Sequence, residues 1–451
     1  MPPAGLYRLG PKGPFKGRND MNGNLIVENA AQLVTCSGFA AKTGDQMSDL
    51  GVLEKGAVVI EAGMIRYVGP SSDLPKNINR DDFEIIDAAG KAVLPGFVDA
   101  HTHFVFGGYR PEEFAWRLRG DSYMEIMARG GGIHSTVAAT RKATREALIA
   151  AGHQRLDSML SFGVTTVEGK SGYGLDLETE LKQLEVMAHL DAHHPVDISR
   201  TFLGAHAVPP EYKGRENQYI DFMIQDALPE VAAKNLAEFC DVFCEEGVFS
   251  IAQSRRLLTA AAASGLKPKL HADEIVPLGG AGLAAELDAV SADHLLHAAD
   301  EDIDALAANG VVATLLPGTA FGLKEPYARA RTMIERGCAV ALATDLNPGS
   351  CFSESIPLLF ALATLYMDLS PEEAVTALTL NGAAAVDRAD TVGSLDPGKK
   401  GDLVILEYPS YKFIPYHMGI SVVEKTVKNG NVVFDKTRYE APYTGKPGCK
   451  E

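Results

Sequence analysis

Long apolar runs are missing from this sequence, although 46% of its 451 residues are hydrophobic. A helix that spans a membrane needs about 20 consecutive apolar residues, and no stretch of the chain supplies them, so we expect no membrane span. Residues 1–24 are rich in Gly, Pro, Lys and Arg and lack the apolar segment of a secretory signal. We predict that they form a disordered extension.

Positive charge is scarce as well. The chain has 42 Lys and Arg against 59 Asp and Glu, which gives a formal net charge of −17. Nucleic acids and anionic membranes bind basic patches, so we expect neither as a partner. The overall charge also opposes an anionic small-molecule substrate, and a site for one therefore needs an arginine close by.

Cysteine is the third scarcity. The six cysteines are scattered along the chain, and only Cys240 and Cys244 are closely spaced. Such a long chain does not depend on a disulfide framework, and we expect reduced thiols in a cytoplasmic protein. We interpret Cys244 as a small buried hydrophobic residue rather than a metal ligand.

Two histidines stand one residue apart where an apolar stretch ends, at His101 and His103. Residues i and i+2 of an extended chain point to the same side, so both imidazoles can bind one divalent cation. Taken alone, the pair is a weak signal for a metal, and two structural histidines at a strand end are the simpler interpretation. The rest of the chain has to decide between these interpretations.

Both ends of the chain show the alternation and turn signals of β structure, with hairpin turns predicted at residues 62–63 and 429–430. We predict one composite β-sandwich domain from residues 25–93 and 387–440. The β segments lie at residues 25–36, 57–70, 402–407 and 426–434.

Between these ends, short apolar strands alternate with helical stretches, which is typical of parallel strands joined by helices. We predict an α/β fold with a (β/α)8 TIM-like barrel over residues 94–386, whose active site lies at the C-terminal strand ends. The helical stretches are 139–161, 178–191, 251–264 and 371–386. The candidate strand ends are 98–101, 165–168, 202–206, 269–271, 290–294, 312–316 and 340–345.

Most of these strand ends carry a residue that can bind a metal or move a proton. The set comprises His101, His103, His206, His271, Glu274, His294 and Asp345. Three neutral imidazoles and one carboxylate bind a first-row cation and leave it Lewis-acidic, with room for water. Such a centre lowers the pKa of water from about 15.7 towards about 7, and Glu274 can accept the released proton.

Purely structural interpretations exist for single members of this set. His206 can be a satisfied strand-end histidine, and Asp345 can start an Asx turn. Chance would have to produce all the strand-end residues together, which favours a metal-dependent site. Residues 169–171, Gly-Lys-Ser, imitate a phosphate-binding loop, but Val164 stands where that motif requires glycine.

With these motifs in place, the chain resembles the amidohydrolase superfamily and, within it, closely resembles the imidazolonepropionase family. The Lys-Ser-Gly-Tyr-Gly-Leu-Asp and Asp-Leu-Asn-Pro stretches narrow the resemblance from the superfamily to the family. The matching stretches lie at 99–103 with Arg110, 130–134, 168–176, 202–209, 243–249, 271–274 and 344–350, and they span most of residues 25–435.

The resemblance implies hydrolysis of 4-imidazolone-5-propanoate to N-formimidoyl-L-glutamate in histidine degradation, by a metal-activated water, in an enzyme that forms a homodimer. It implies one zinc or iron ion held by His101, His103, His271 and Asp345. It further implies substrate contacts from Arg110, Tyr173, His206, Glu274 and Ser350, and product contacts from Asn347 and Gly349.

The implied roles are chemically consistent. Arg110 supplies the cation that a propanoate needs in this acidic chain. We expect His294 or His206 to stabilise the oxyanion and Glu274 to carry the proton, with Asp345 as its possible partner. The sequence does not choose zinc over iron.

Three alternatives stay open at this point. A dinuclear amidohydrolase would bridge two metals with a carboxylated lysine, and Lys170 is the candidate, although it precedes the expected strand. An aminohydrolase of the same superfamily would act on a purine, pyrimidine or triazine ring and release ammonia. A non-catalytic metal-binding or scaffold protein would keep its function after Glu274→Gln.

Overall fold

The computed structural model describes residues 22–121, 129 and 131–438. The predicted disordered extension lies outside the described residues except for residues 22–24. Gly130 also lies outside the described residues, as do residues 439–440 at the end of the predicted β domain. The bounds of the two domains stay a prediction.

Strands occur at both ends and at regular intervals through the middle of the chain. They are β1 (Leu25–Ala30), β2 (Gln32–Val34), β3 (Val52–Leu53), β4 (Gly56–Glu61), β5 (Met64–Pro70), β6 (Glu84–Asp87), β7 (Ala92–Pro95), β8 (Phe97–Asp99), β9 (Val164–Lys170), β10 (Asp197–Ala205), β11 (Phe239–Cys244), β12 (Lys267–Ala272), β13 (Ser291–His294), β14 (Val312–Leu315), β15 (Val340–Leu342), β16 (Leu403–Leu406), β17 (Val423–Lys428) and β18 (Asn431–Asp435).

Most of the helices connect the middle strands, and the last four follow them. They are α1 (Pro111–Leu118), α2 (Ile133–Lys142), α3 (Arg145–Ser161), α4 (Leu177–His193), α5 (Glu216–Phe222), α6 (Leu228–Ala233), α7 (Ile251–Ala263), α8 (Gly280–Glu286), α9 (Asp300–Asn309), α10 (Pro317–Leu323), α11 (Ala330–Glu335), α12 (Ile356–Tyr366), α13 (Pro371–Ala377), α14 (Leu380–Ala385) and α15 (Phe413–Tyr416). Within the described residues, none of the helices has both the length and the apolar character for crossing a membrane.

The strands from β8 to β15 form one eight-stranded parallel sheet in chain order. Its first and last strands approach each other beyond their ends, where Thr102 and Leu346 form a parallel bridge and His103 N donates to Leu346 O at 2.9 Å. The predicted TIM-like barrel is therefore confirmed. The sequence did not reveal its strand β11.

The other two sheets form the β-sandwich predicted from both chain ends. One has the order β5-β4-β1-β6, and the other has the order β18-β17-β16-β7-β2-β3. In the second sheet β16 pairs antiparallel with β7, so that a C-terminal strand lies directly beside an N-terminal one. The predicted hairpin turns are present, and at the second of them Asn429 and Gly430 have φ values of 47° and 70°, as a type I′ turn requires.

Two predicted helices are each divided in two. The stretch 139–161 ends one helix at Lys142 and starts another, because Thr144 is extended and accepts a hydrogen bond from Ala147 N at 3.2 Å as an N-cap. The stretch 371–386 is interrupted between α13 and α14. The described cysteines are free and buried, as we expected for Cys244.

Candidate active site

The side chains of His101, His103, His271 and Asp345 converge at the C-terminal end of the barrel. His101 Nε2 and His103 Nε2 each lie 3.6 Å from Asp345 Oδ1. His271 Nε2 lies 3.5 Å from His103 Nε2. All four side chains are buried, so the barrel brings the four predicted metal ligands together away from solvent.

These donors fit a metal ion. His101 Nε2 is buried and has no hydrogen-bond partner among the described residues, which is unusual for a buried polar atom. Imidazole nitrogens with one carboxylate oxygen suit zinc or iron. The donor atoms form overlapping groups that span no more than 4.8 Å: His101 with His103 and Asp345, His101 with His271 and His294, and His103 with His206 and His271.

Two carboxylates stand behind the ligand histidines. Asp293 Oδ2 lies 2.6 Å from His101 Nδ1, and Asp241 Oδ2 lies 2.9 Å from His271 Nδ1. Burial lowers the pKa of His271, but the contact with Asp241 and the charge of Asp293 together outweigh it and raise that pKa. Such carboxylates fix the tautomer and orientation of a ligand imidazole, leaving the other nitrogen free for metal.

Sequence reasoning missed both carboxylates. Asp293 directly precedes His294 and is paired in register with His271 on the neighbouring strand, so inward-facing polar residues on β13 were an available signal. Asp241 lies inside a predominantly apolar stretch and gave no comparable signal.

His294 and Glu274 form a second pair beside the ligands. His294 Nε2 lies 3.7 Å from Glu274 Oε2, and both ring nitrogens of His294 lack hydrogen-bond partners among the described residues. The backbone of His294 has φ 75°, which is uncommon for a non-glycine residue and often marks a functional position. Burial lowers the pKa of His294 well below 6.5, so its imidazole is neutral.

Glu274 is positioned by the turn that follows β12. Asp273 has φ 50°, and its Oδ1 accepts the N–H groups of Gly279 and Gly280 at 2.8 and 3.0 Å. This carboxylate thereby caps α8 and holds the turn on which Glu274 projects. Burial, and then the charge of Asp345, raise the pKa of Glu274 to about 8. In the metal-free protein the carboxyl group can therefore hold a proton near neutral pH.

Aromatic rings form the adjacent wall. The ring of His206 stacks on that of His103 with centroids 4.8 Å apart and an interplanar angle of 9°. The Tyr173 ring lies 5.6 Å from His103 and 5.4 Å from His206. The Tyr173 N–H donates to Gln183 Oε1 at 3.1 Å, and Glu180 Oε1 accepts the Gly174 N–H at 2.7 Å. Helix α4 thus holds the loop that carries Tyr173.

Arg110 has a largely buried side chain whose charge acts on Tyr173. Its Nη1 is 3.2 Å from Glu113 Oε1, a partner that the sequence did not indicate. A Cβ atom added to Gly349 would lie only 1.8 Å from Arg110 Nη2, so the guanidinium group packs directly on this glycine. Burial raises the pKa of Tyr173 strongly, and the nearby charge of Arg110 partly offsets that rise.

Asn347 organises the loop that faces Arg110. Its Nδ2 donates to Ser350 Oγ at 2.8 Å, and its Oδ1 accepts the N–H groups of Gly349 and Ser350, both at 2.8 Å. The side chain of Asn347 is therefore engaged within its own loop, whereas Gly349 lies beside Arg110.

Comparison with known proteins identifies the family of the chain. The model described as "Amidohydrolase family" matches residues 84–132 and 115–434 of the chain. An imidazolonepropionase of Clostridium tetani is 63% identical over 415 residues, covering 92% of this chain and 99% of that protein. One from Parabacteroides distasonis is 61% identical over 411 residues, covering 91% and 99%. The chain belongs to the amidohydrolase family and, within it, to the imidazolonepropionases.

Solved structures share the fold at low sequence identity. An adenosine deaminase from Xanthomonas campestris with bound zinc has a TM-score of 0.65 at 18% identity, covering 91% of this chain and 92% of that chain. An atrazine chlorohydrolase from Arthrobacter aurescens complexed with zinc has a TM-score of 0.64 at 16% identity, covering 91% and 95%. Likeness at this level establishes the fold alone.

Proposed function

We propose that this chain hydrolyses the cyclic amide of 4-imidazolone-5-propanoate to N-formimidoyl-L-glutamate, a step of histidine degradation, with one zinc or iron ion. The observation that carries the proposal is the placement of Arg110 against Gly349, on a loop that begins directly after the buried donor Asp345. A charge-assisted pair between Arg110 and the propanoate gives an acidic protein a specific site for an anionic substrate.

His101, His103, His271 and Asp345 would hold the metal. When bound there, the metal supplies Lewis acidity towards the ring carbonyl and lowers the pKa of water towards about 7. Asp293 and Asp241 keep two of the ligand imidazoles in the tautomer whose Nε2 is free. The side chains of Tyr173 and His206 form one wall of the space that the planar ring of the substrate would occupy.

Ring opening balances with water as the only co-reactant. The carbonyl carbon gains a hydroxyl group, its bond to the ring nitrogen breaks, and that nitrogen takes the remaining proton. Glu274 accepts the proton from water and returns it to the departing nitrogen, a transfer for which a carboxylate beside His294 and the metal ligands is placed. Both fragments stay in one product, so no ammonia leaves.

His294 stabilises the charge that develops on the carbonyl oxygen. Its neutral ring offers one N–H, and neither ring nitrogen has another hydrogen-bond partner among the described residues. A donor fixed in a buried site before the reaction needs no reorganisation when charge appears. His206 forms the wall at the other face of His103.

The test is a substrate assay on purified, metal-loaded protein. We expect loss of the imidazolone ring with equimolar N-formimidoyl-L-glutamate and no ammonia. Folded, metal-loaded protein that leaves the substrate unchanged would contradict the proposal. Ammonia release would instead indicate an aminohydrolase.

Three further properties belong to the same proposal. The metal is zinc or iron, the enzyme is a homodimer, and it works in the cytoplasm on a small anionic molecule. Metal analysis of protein purified without added metal, together with sedimentation equilibrium, tests the first two. Fractionation of cells that express the native chain tests the third.

A further inference from the structure

Lys170 carries a cation that the proposed reaction leaves unused. Its side chain is completely buried at the end of β9. Its Nζ lies 2.7 Å from Asp241 Oδ2, 3.0 Å from Glu168 Oε1 and 3.2 Å from Asp293 Oδ2. One ammonium group therefore joins the two carboxylates that stand behind the ligand histidines.

The contacts are shared at single atoms. Asp241 Oδ2 faces both Lys170 and the Nδ1 of His271, and Asp293 Oδ2 faces both Lys170 and the Nδ1 of His101. The second oxygen of each carboxylate is also engaged: Asp241 Oδ1 accepts the His271 N–H at 3.1 Å, and Asp293 Oδ1 accepts the Ser291 hydroxyl at 2.6 Å. Neither carboxylate has freedom to rotate while Lys170 is in place.

We propose that Lys170 is a positioning residue for the metal centre: it fixes Asp241 and Asp293, which in turn hold His271 and His101 with their Nε2 atoms towards the metal. This inference rests on the proposed metal site. In this proposal one lysine sets the orientation of two metal ligands that follow different strands. Removal of Lys170 takes one shared partner away from both carboxylates at once and loosens their positions, and metal should then leave the site faster.

The same contacts argue against the dinuclear alternative. A carboxylated Lys170 would be an anion, and it would stand within hydrogen-bond distance of three carboxylates. Like charges at such separations repel strongly in a buried site. The three carboxylates instead require the ammonium form of Lys170 as their shared partner.

Lys269 provides a matched control. It is also a completely buried lysine, and its Nζ bonds Glu168 Oε2 at 2.8 Å and the Ala385 carbonyl at 3.1 Å. Within the described structure it makes no hydrogen bond or ion pair with Asp241 or Asp293, although its charge acts on Asp293 from farther away. Lys269→Met therefore removes an equally buried charge without releasing the carboxylates behind the ligands.

The experiment measures release of zinc from the zinc-loaded protein to a chelator, for the wild type, Lys170→Met and Lys269→Met. We expect zinc loss about 10-fold to 100-fold faster in K170M, the range for changes behind metal ligands, and within about threefold of the wild type in K269M. Equal rates in K170M and the wild type would overturn the inference. Equal acceleration in both variants would overturn it too, because it would indicate a general effect of buried charge.

A double-mutant comparison covers the case in which K170M does not fold. The comparison uses Asp241→Asn and the double variant K170M/D241N. The double variant removes both members of the buried ion pair between Lys170 and Asp241, so neither of these two partners is left as an unpaired charge. If Lys170 acts through the carboxylates, K170M accelerates zinc loss by a smaller factor in the D241N background than the 10-fold or more expected in the wild type. An undiminished factor in that background overturns the inference.

The outcome is separable from that of the proposed function. Zinc release needs no substrate, so a wild type that holds zinc but does not hydrolyse 4-imidazolone-5-propanoate contradicts the proposed function and leaves Lys170 testable. Slow zinc release from K170M with normal hydrolysis contradicts only the role of Lys170.

Discussion

Asp345 donates its backbone N–H to the carbonyl oxygen of His101 at 3.0 Å. This hydrogen bond joins the chain after the last barrel strand to the chain after the first one. The same two residues present Oδ1 and Nε2 to each other at 3.6 Å. Closure of the barrel and assembly of the metal site therefore depend on one junction.

We expect removal of the metal to destabilise this junction. A ligand that binds only the folded state adds about 2.7 kcal/mol of stability at 100 times its dissociation constant, so chelation should lower the Tm by a few degrees or more. In Asp345→Asn the Tm should no longer respond to chelator. Differential scanning calorimetry with and without chelator makes the measurement.

Asp157→Asn is the control for this experiment. Asp157, on the outer helix α3, also contacts two histidines at 3.2 Å, His153 on the same helix and His194 directly after α4. The Tm of this variant should keep its response to chelator. A response lost in both variants would mean that the carboxylate at the barrel junction has no special part in metal binding.

Glu274→Gln should separate catalysis from metal binding. The amide has the shape of the carboxyl group but cannot accept the proton, and general acid–base transfer contributes about 10²-fold to 10⁴-fold to a rate. We expect kcat to fall by that range while metal content stays at the wild-type value. Loss of metal together with activity would place Glu274 among the ligands and would contradict its role as proton carrier.

Much of the barrel could be predicted because its polar functional residues follow short apolar runs. The strand β11 was not predicted because Asp241 interrupts its apolar character, and the buried side chain is held by His271 and, on a strand distant in sequence, by Lys170. Such a pairing spans 71 residues of sequence and depends on which strands become neighbours. No local pattern contains that information.

The candidate site shows the same limit. The histidines and Asp345 were readable because each ends a predicted strand, whereas Asp293 acquires its role from a contact with His101 across the barrel. Glu113 was hidden for another reason: it lies in α1, where acidic residues in the first turn are ordinary helix chemistry. Only the three-dimensional structure shows that it faces Arg110.

The stability of the metal-free protein should depend on pH through Glu274. Burial, then the charge of Asp345, raise the pKa of this group from 4.5 to about 8. The folded state consequently binds more protons than the unfolded state between these values, so this group's contribution to stability is present below about pH 4.5 and is lost as the pH rises to about 8.

Glu274→Gln removes this titration. As the pH rises from about 5 to about 8, we expect the Tm of the metal-free variant to fall less than the Tm of the metal-free wild type. Glu178→Gln, an exposed change in the first turn of α4, serves as the control and should follow the wild type. Parallel curves for E274Q and the wild type would show that burial does not perturb this carboxyl group.

Arg110→Met should weaken substrate binding specifically. Removing one member of a buried, hydrogen-bonded charge pair costs about 2 to 5 kcal/mol, so KM should rise by about 30-fold or more. Arg117→Met is the matched control, because Arg117 Nη2 contacts the same loop at Gly349 O, 3.3 Å away. We expect less than about a threefold change there. Equal effects would mean that the loop, rather than the guanidinium group of Arg110, sets affinity.

Gly349→Ala tests the position of that guanidinium group without changing any charge. The added Cβ would lie 1.8 Å from Arg110 Nη2 and 2.8 Å from Arg110 Cζ, whereas Asn347 Oδ1 would be 3.3 Å away. The flexible end of Arg110 can move aside, so the protein should fold with little change in Tm. KM should nevertheless rise nearly as much as in Arg110→Met, because the displaced cation no longer meets the propanoate.

In the double variant, G349A should add almost nothing to the rise in KM caused by R110M, since both act on one contact. Full additivity would show instead that Gly349 affects the substrate independently of Arg110.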